Sequence, residues 1–448
     1  MEDLLAGRLQ MAFSLGFHII FACIGMVMPF LMAVAHWRWL RKGDPVDLDL
    51  AKTWSKGVAI FFATGAVSGT MLSFELGLLW PNFMEHAGPI IGMPFSLEGT
   101  AFFIEAIALG LFLYGWNRMN RWVHFASGLV VGISGVISGI LVVAANAWMN
   151  SPQGFDWVDG QALNIDPVQA MFNPAWFTQS LHMTLAAFAA TGFGVAGLHA
   201  LQLLRHPEHP VHRRALTIAL TIGGIAALLQ PLSGDLSAKD IAARQPEKLA
   251  AMESHFYTES GADLLIGGLP DPEKMEVKYG IHLPNMLSFL AFGDFDAEVK
   301  GLEAFPRENW PPVLITHLAF QVMVALGMFM AAVTLLFFWV RWKRPGCLNH
   351  PRFLKLLVVA APSGFLAVEA GWTVTEVGRQ PWIIYQVMRT AEALTPMPGL
   401  IYMFLSTTLL YLLLSILVTW LMVRQVRVLN ARYQGGRALQ NPEEVHHV

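Results

Sequence analysis

Leu97 to Trp116 reads LEGTAFFIEAIALGLFLYGW, an apolar run long enough to cross a bilayer that carries two carboxylates, Glu98 and Glu105. An ionised side chain at the centre of a membrane helix costs roughly 2.5 to 3.5 kcal/mol on insertion scales, so such groups are rarely kept without a polar role. Their spacing of seven residues is two helical turns, which returns both to nearly one face. A proton path or a buried cofactor is the natural use of that face.

The rest of the chain has the same character. Of its 448 residues 55% are hydrophobic and 14% charged, whereas a soluble domain carries about 25% charged residues and few apolar runs of ~20. The reading is an all-α, polytopic membrane protein with nine spans near 14–36, 57–80, 96–116, 122–146, 176–203, 214–232, 312–340, 355–378 and 400–423. Sheet is not expected, because an open edge cannot be satisfied in lipid. No Lys or Arg lies between Lys56 and Arg118 or between Arg121 and Arg205, while HWRWLRK, WNRMNRW, LRHPEHPVHRR, VRWKRPG and RQVRVLNAR are basic. The positive-inside rule then puts the N-terminus outside, the C-terminus in the cytoplasm, and the loops at Met84 and at 150–173 outside. The first residues lack the basic start and small-residue cleavage site of a secretory signal and read as the beginning of the first span. Two cysteines, Cys23 and Cys347, are too few for a disulfide framework or a Cys-ligated metal. The net charge of −3 gives no nucleic-acid signal.

Four segments follow: 1–233 with six spans, a polar loop at 234–310, 311–425 with three spans, and a tail at 426–448. In the polar loop, Pro246 opens a helical run that holds Lys248 and Glu253, and GADLLIGGLPDPEK turns back as strand or loop. A solvated helix with ordinary charges is the plain alternative. Among the histidines, His18, His182 and His199 sit in spans, with Gly16, Gly25, Gly192 and Gly194 around the first two, small residues that let a macrocycle or another helix approach. A buried histidine is a metal ligand or simply a hydrogen-bonded core residue. His206, His209 and His212 lie in a basic connection and read as surface residues. Most of the 22 methionines are core filler, and spacing alone does not separate Met323 from Met328 or Met330. In AVEAGWTVTEVGRQPW (367–382), Glu369 and Glu376 again share a helical face, and Arg379 can pair with Glu376 or with a haem propionate.

The runs GRLQMAFSLGFHIIF, EGTAFFIEAIALGLFLYGW, LVVAANAWMNSPQG, EKLAAMES, FQVMVALG and VEAGWTVTEVGRQPW resemble, in order and over the whole chain, subunit I of the cytochrome bd quinol oxidases. The short polar loop resembles the branch that includes the cyanide-insensitive oxidases. The resemblance implies that His182 and Met323 are the axial pair of a low-spin haem b558. It implies that His18 and Glu376 each hold one high-spin haem, b595 and d, with a further haem b possible in place of d. Glu98 then lies beside the oxygen-reducing haem, Glu105 and Ser138 on the proton route from the cytoplasm, and Trp372, Arg379 and Asn146 around the haem cluster. Lys248 and Glu253 match the loop pair that binds and deprotonates quinol. One departure is Gln321, where relatives of the long-loop branch have Arg two residues before the methionine ligand.

The implied activity is that of a quinol:O2 oxidoreductase of the bacterial inner membrane, electrogenic without pumping. It would take ubiquinol or menaquinol, work in membrane lipid, and pair with a second membrane subunit and small single-span peptides. Two rival readings are a proton-coupled secondary transporter, which would be expected to show repeat symmetry not found here, and a di-haem membrane anchor of a dehydrogenase.

Overall fold

The computed structural model describes residues 2–158, 160–395 and 397–433; the end of the tail predicted at 426–448 lies outside them. The chain makes four long helices in succession, α1 (Glu2–Lys42), α2 (Pro45–Leu79), α3 (Pro81–Tyr114) and α4 (Arg121–Asn150). A hairpin of β1 (Asp156–Val158) and β2 (Gln161–Leu163) and a short α5 (Pro167–Met171) lead to α6 (Trp176–Arg205) and α7 (Pro210–Arg244). The next segment holds α8 (Pro246–Glu253), strands β3 (Glu259–Ser260), β4 (Leu264–Asp271) and β5 (Glu276–Leu283), α9 (Met286–Phe292) and β6 (Glu298–Val299). Then come α10 (Val313–Lys343), α11 (Pro351–Ala360), α12 (Ser363–Val377), the strands β7 (Trp382–Ile384) and β8 (Met388–Arg389), α13 (Thr390–Ala393) and α14 (Leu400–Arg432).

Nine spans are long and apolar enough to cross a membrane among the described residues, counting α11 and α12 as one. Proline opens six of the helices, at Pro45, Pro81, Pro167, Pro210, Pro246 and Pro351. Its fixed φ suits the first helical position, where the missing N–H costs nothing. Alternating crossings put the end of α4, all four two-stranded antiparallel sheets and α8 on the side where α1 begins, here called the N side.

Several expectations need correction. Sheet does occur, as four short pairs in the connections, where water or protein satisfies the edges. There is no loop at Met84: Trp80 alone separates α2 from α3, because Pro81 starts the next helix at once. The eighth span is broken between Ala360 and Ser363 at Pro362. Helix α7 runs on to Arg244, well past the 233/234 boundary. His209 and His212 are buried, 3% and 0% exposed. The α6–α7 connection is so short that His212 returns into the bundle, where its ring meets His199 Nδ1 (2.8 Å) and Asn430 Oδ1 (2.7 Å).

Two kinds of contact fix the bundle. At the α1–α2 corner Asp47, fully buried, accepts from Arg38 Nε (3.1 Å) and from Arg214 at the start of α7 (2.7 Å), which also reaches Asp44 (3.0 Å). In the middle, α6 and α7 touch backbone to backbone: a Cβ on Gly192 would lie 2.4 Å from Gly223 Cα. Such close approach of small residues is how helices associate where lipid offers no hydrophobic drive.

Gly192→Val is therefore expected to lower the thermal midpoint and the yield of assembled protein, with overpacking costing at least about 2 kcal/mol. Gly77→Ala, at a position with nothing within 4 Å, should leave both unchanged.

Candidate functional site

Two buried histidines are held in the same way from different helices. His18 on α1 contacts Ser68 Oγ of α2 through Nδ1 (2.8 Å), and Ser68 already donates to Thr64 O (3.0 Å). With the serine's one proton given to that carbonyl, His18 Nδ1 carries a hydrogen and the lone pair stays on Nε2. His182 on α6 repeats this with Ser233 of α7 (3.0 Å), whose hydroxyl donates to Gln230 O (2.9 Å). The Gln230 amide nitrogen lies over the ring, 3.2 Å from His182 Nε2 and 3.3 Å from Nδ1, and donates to His182 O (3.1 Å). A metal-binding imidazole needs this arrangement, with one nitrogen tied to an acceptor and the other free to ligate.

Helix α12 carries the second set. Glu376 accepts from Asn146 Nδ2 of α4 on one oxygen and from Arg379 on the other, both at 2.5 Å. Asn150, one turn beyond Asn146, donates to Asn146 Oδ1 (3.2 Å) and accepts from Lys248 Nζ (2.7 Å). The result is a continuous chain, Arg379–Glu376–Asn146–Asn150–Lys248, joining α12, α4 and α8. Met323 of α10 faces α12 at Gly371, where a Cβ would meet its sulfur at 2.9 Å. On the same helix Glu369 is turned toward Gly16 of α1.

Several polar atoms here are buried without partners: Arg379 Nε and Nη1, Trp372 Nε1 and Glu369 Oε1. A guanidinium with two idle donors, 3% exposed, fits an incoming carboxylate such as a haem propionate. The donor set of imidazole, thioether and carboxylate likewise fits haem iron.

Further along α4 toward its start, Glu98 and Glu105 of α3 both face it. Ser138 Oγ donates to Glu98 Oε1 (3.0 Å), and Gly135, one turn away, leaves room for Glu105 (3.6 Å from its would-be Cβ). The structure thus brings the two carboxylates of the opening stretch and Ser138 to one helix interface.

Helix α8 is not a solvated helix. Every residue from Glu247 to Glu253 is buried. Glu247 accepts from Tyr385 Oη (2.6 Å), Lys248 reaches Asn150 and Gln245 Oε1, and His317 of α10 binds Met252 O through Nδ1 (2.8 Å). Burial, with the Arg379 guanidinium nearby, pulls the Lys248 ammonium down to about 7 against the opposing pull of Glu376 and Glu247, and burial pushes Glu253 up to about 8. Glu253 Oε2 has no partner. Lys248 and Glu253 share no hydrogen bond or ion pair, and five residues apart they sit about 140° around the helix from each other.

Sequence reasoning missed Ser68, Ser233, Asn150 and His317. The first two are ordinary small residues in apolar runs, with no signal until the neighbouring helix is known. Gln321, noted only as a departure, has a clear structural role. Its Oε1 accepts from Gly267 N (2.9 Å) and its Nε2 donates to Leu265 O (3.0 Å). With His317 Nε2 against Gly267 O (3.1 Å), one turn away, it pins the β4–β5 hairpin to α10.

Residues 6–429 match the family model of cytochrome bd terminal oxidase subunit I. The chain is 36% identical over 435 residues, 95% of its length and 97% of the relative's, to a Bacillus subtilis (strain 168) protein provisionally named as a cytochrome bd menaquinol oxidase subunit I. It is 30% identical over 442 residues to the cytochrome bd ubiquinol oxidase subunit 1 of the same organism, covering 95% and 94% of the two chains. Among solved structures it is similar to the bd oxidase of Geobacillus thermodenitrificans, with TM-score 0.90, 39% identity, and 95% and 98% of the two chains covered.

Gln321→Leu should free the hairpin without unfolding the bundle. Losing a buried partner costs about 1 to 3 kcal/mol, so the Gly267 amide is expected to exchange with solvent roughly ten-fold faster or more, while amides within α6 and α7 keep their protection.

Proposed function

The chain belongs to the cytochrome bd terminal oxidase subunit I family, and we propose how its own residues perform that subunit's work. It is the haem-bearing catalytic subunit of a quinol oxidase, a multi-pass bacterial membrane protein acting with a second subunit on quinol and O2. Bound haem supplies one-electron chemistry and the place where oxygen is reduced.

In our reading His182 and Met323 hold a low-spin haem b558. His18 and Glu376 each hold a high-spin haem, one b595 and the other d or a further b. The serine-fixed tautomers of both histidines support these roles, and the idle Arg379 donors support a propionate beside Glu376. Trp372 and Asn146 frame the same pocket.

The quinol site is assigned to the 234–310 loop, and the observation that carries it is the burial of Lys248 and Glu253 outside the spans. A lysine near its titration point and a carboxyl without a partner are unusual in a segment of otherwise ordinary charges. Lys248 donates to a quinol oxygen, and Glu253 takes a quinol proton and releases it on the N side, which is outside. Glu98, Ser138 and Glu105 convey protons from the cytoplasmic side. With the two proton sites on opposite sides, charge is separated without a pump. The basic ends of α1, α10 and α14 opposite the N side support that orientation. Small single-span subunits and membrane lipid complete the assembly.

His182→Ala and Met323→Leu are each expected to abolish the low-spin signal in reduced-minus-oxidised spectra, since each residue would supply one of the two protein ligands to that haem. An unaltered low-spin spectrum in either variant removes that residue from the ligand set.

The pH profile tests Glu253. A base with its pKa raised to about 8 is mostly protonated, and so inactive, at pH 7. Quinol oxidation should therefore rise as pH increases through about 8. Glu253→Gln is expected to slow turnover and remove that rising limb with all haem bands intact; a wild-type profile in the variant would count against the assignment.

A further inference from the structure

Another buried carboxylate lies in the spans, and neither the proposed haem ligands nor the Glu98–Glu105 file uses it. Glu75 of α2 is 0% exposed, at the junction of α1, α2 and α14. Its Oε1 accepts from Gln10 Nε2 (3.0 Å) and Ser14 Oγ (2.8 Å), and Gln10 also reaches Thr407 Oγ1 (3.3 Å). The Tyr411 ring stacks on Phe17 (4.2 Å between centroids), and its hydroxyl faces Ser14 and Glu75 with no well-aligned hydrogen bond to either.

Three atoms of this one cluster are buried and unpartnered: Glu75 Oε2, Gln10 Oε1 and the Tyr411 hydroxyl. Among the described residues no cation pairs with the carboxyl. Arg8, the nearest along α1, is turned to Gln380 (3.1 Å), and α2 has no Lys or Arg after Lys56. An ionised Glu75 would leave a bare oxygen in low dielectric, an arrangement that costs several kcal/mol. A protonated Glu75 instead offers one O–H donor from Oε2 while Oε1 keeps both of its donors. A single internal water would satisfy these atoms by accepting from Glu75 and donating to Gln10 Oε1 and the Tyr411 oxygen. Buried waters typically make about three such bonds to otherwise unsatisfied groups.

The site is also close to His18 by construction. Ser14 and His18 are one helical turn apart on α1 and each bridges to α2, Ser14 to Glu75 and His18 to Ser68.

We propose that Gln10, Ser14, Glu75, Thr407 and Tyr411 form a hydrated site that holds a proton on Glu75, on the N side of His18, and whose hydrogen bonding follows the charge state at His18. The part concerning His18 rests on its reading as a haem ligand. Glu75 is then a proton store separate from the Glu98–Glu105 route, which approaches from the α3–α4 interface.

Reduced-minus-oxidised infrared spectra of the whole oxidase in H2O and D2O test this. A protonated-carboxyl C=O band that shifts in D2O is expected, lost in Glu75→Gln, kept in Glu105→Gln and displaced in Tyr411→Phe. If Glu75→Gln does not assemble, Tyr411→Phe carries the test, and an unmoved band there overturns the proposal. A Glu75→Gln spectrum matching the parent's in the carboxylic-acid region, or losing a carboxylate band instead, also overturns it. His18→Ala separates the two readings: retention of both high-spin haems there refutes the ligand assignment whatever the Glu75 band does.

Discussion

Every polar group that this chain carries into hydrocarbon has to find its partner within the protein. That constraint explains more of the architecture than hydrophobic burial does, since lipid is as apolar as the side chains facing it. It accounts for Asn146 and Asn150 standing one turn apart on α4, each bridging toward a charged group on another element. It also accounts for the serines at 68 and 233, each with its proton committed to its own helix so that the histidine across the interface has a defined tautomer. The requirement is left unmet at Arg379 and Glu75, as it is at His36 and Trp80, and the first two lie where we place a propionate and a proton.

The number and rough position of the spans were legible because hydropathy over ~20 residues is a direct measure of what the bilayer selects. The carboxylates at 98 and 105 stood out for the same reason, and their common interface followed from a seven-residue spacing. Other features depended on what a neighbouring helix supplies. Glu75 lies in an equally apolar run but had no second carboxylate to draw attention to it. His209 and His212 looked like surface residues because a His- and Arg-rich connection is normally solvated, yet the turn is so tight that the rings fall beneath the end of α14. The polar composition of 246–253 suggested water; its burial arises from contacts with α4, α10 and the β7–β8 hairpin, which lie far away in sequence.

The site residues divide by how they could be found. Family resemblance pointed to His18, His182, Met323 and Glu376, which composition alone left among many similar residues. Geometry then added why each can serve: a tautomer for the histidines, a glycine opposite the thioether, and two fixed donors for the carboxylate. Gln321 shows the reverse. As a substitution it suggested only a missing charge, whereas its amide pairs with both an N–H and a C=O of one hairpin, a double contact that arginine's donors alone cannot make.

The buried Asp47 has a consequence for how the protein is made. Its two guanidinium partners are separated by most of the first six spans: Arg38 ends α1, and Arg214 begins α7. During synthesis the α1–α2 hairpin exists long before Arg214 has left the ribosome, so Arg38 must serve alone as counter-ion to Asp47 in the nascent chain. The corner is thus a latch with an early and a late half, and arrival of the sixth span adds to the first ion pair a second guanidinium that ties the first helices of the chain to its middle.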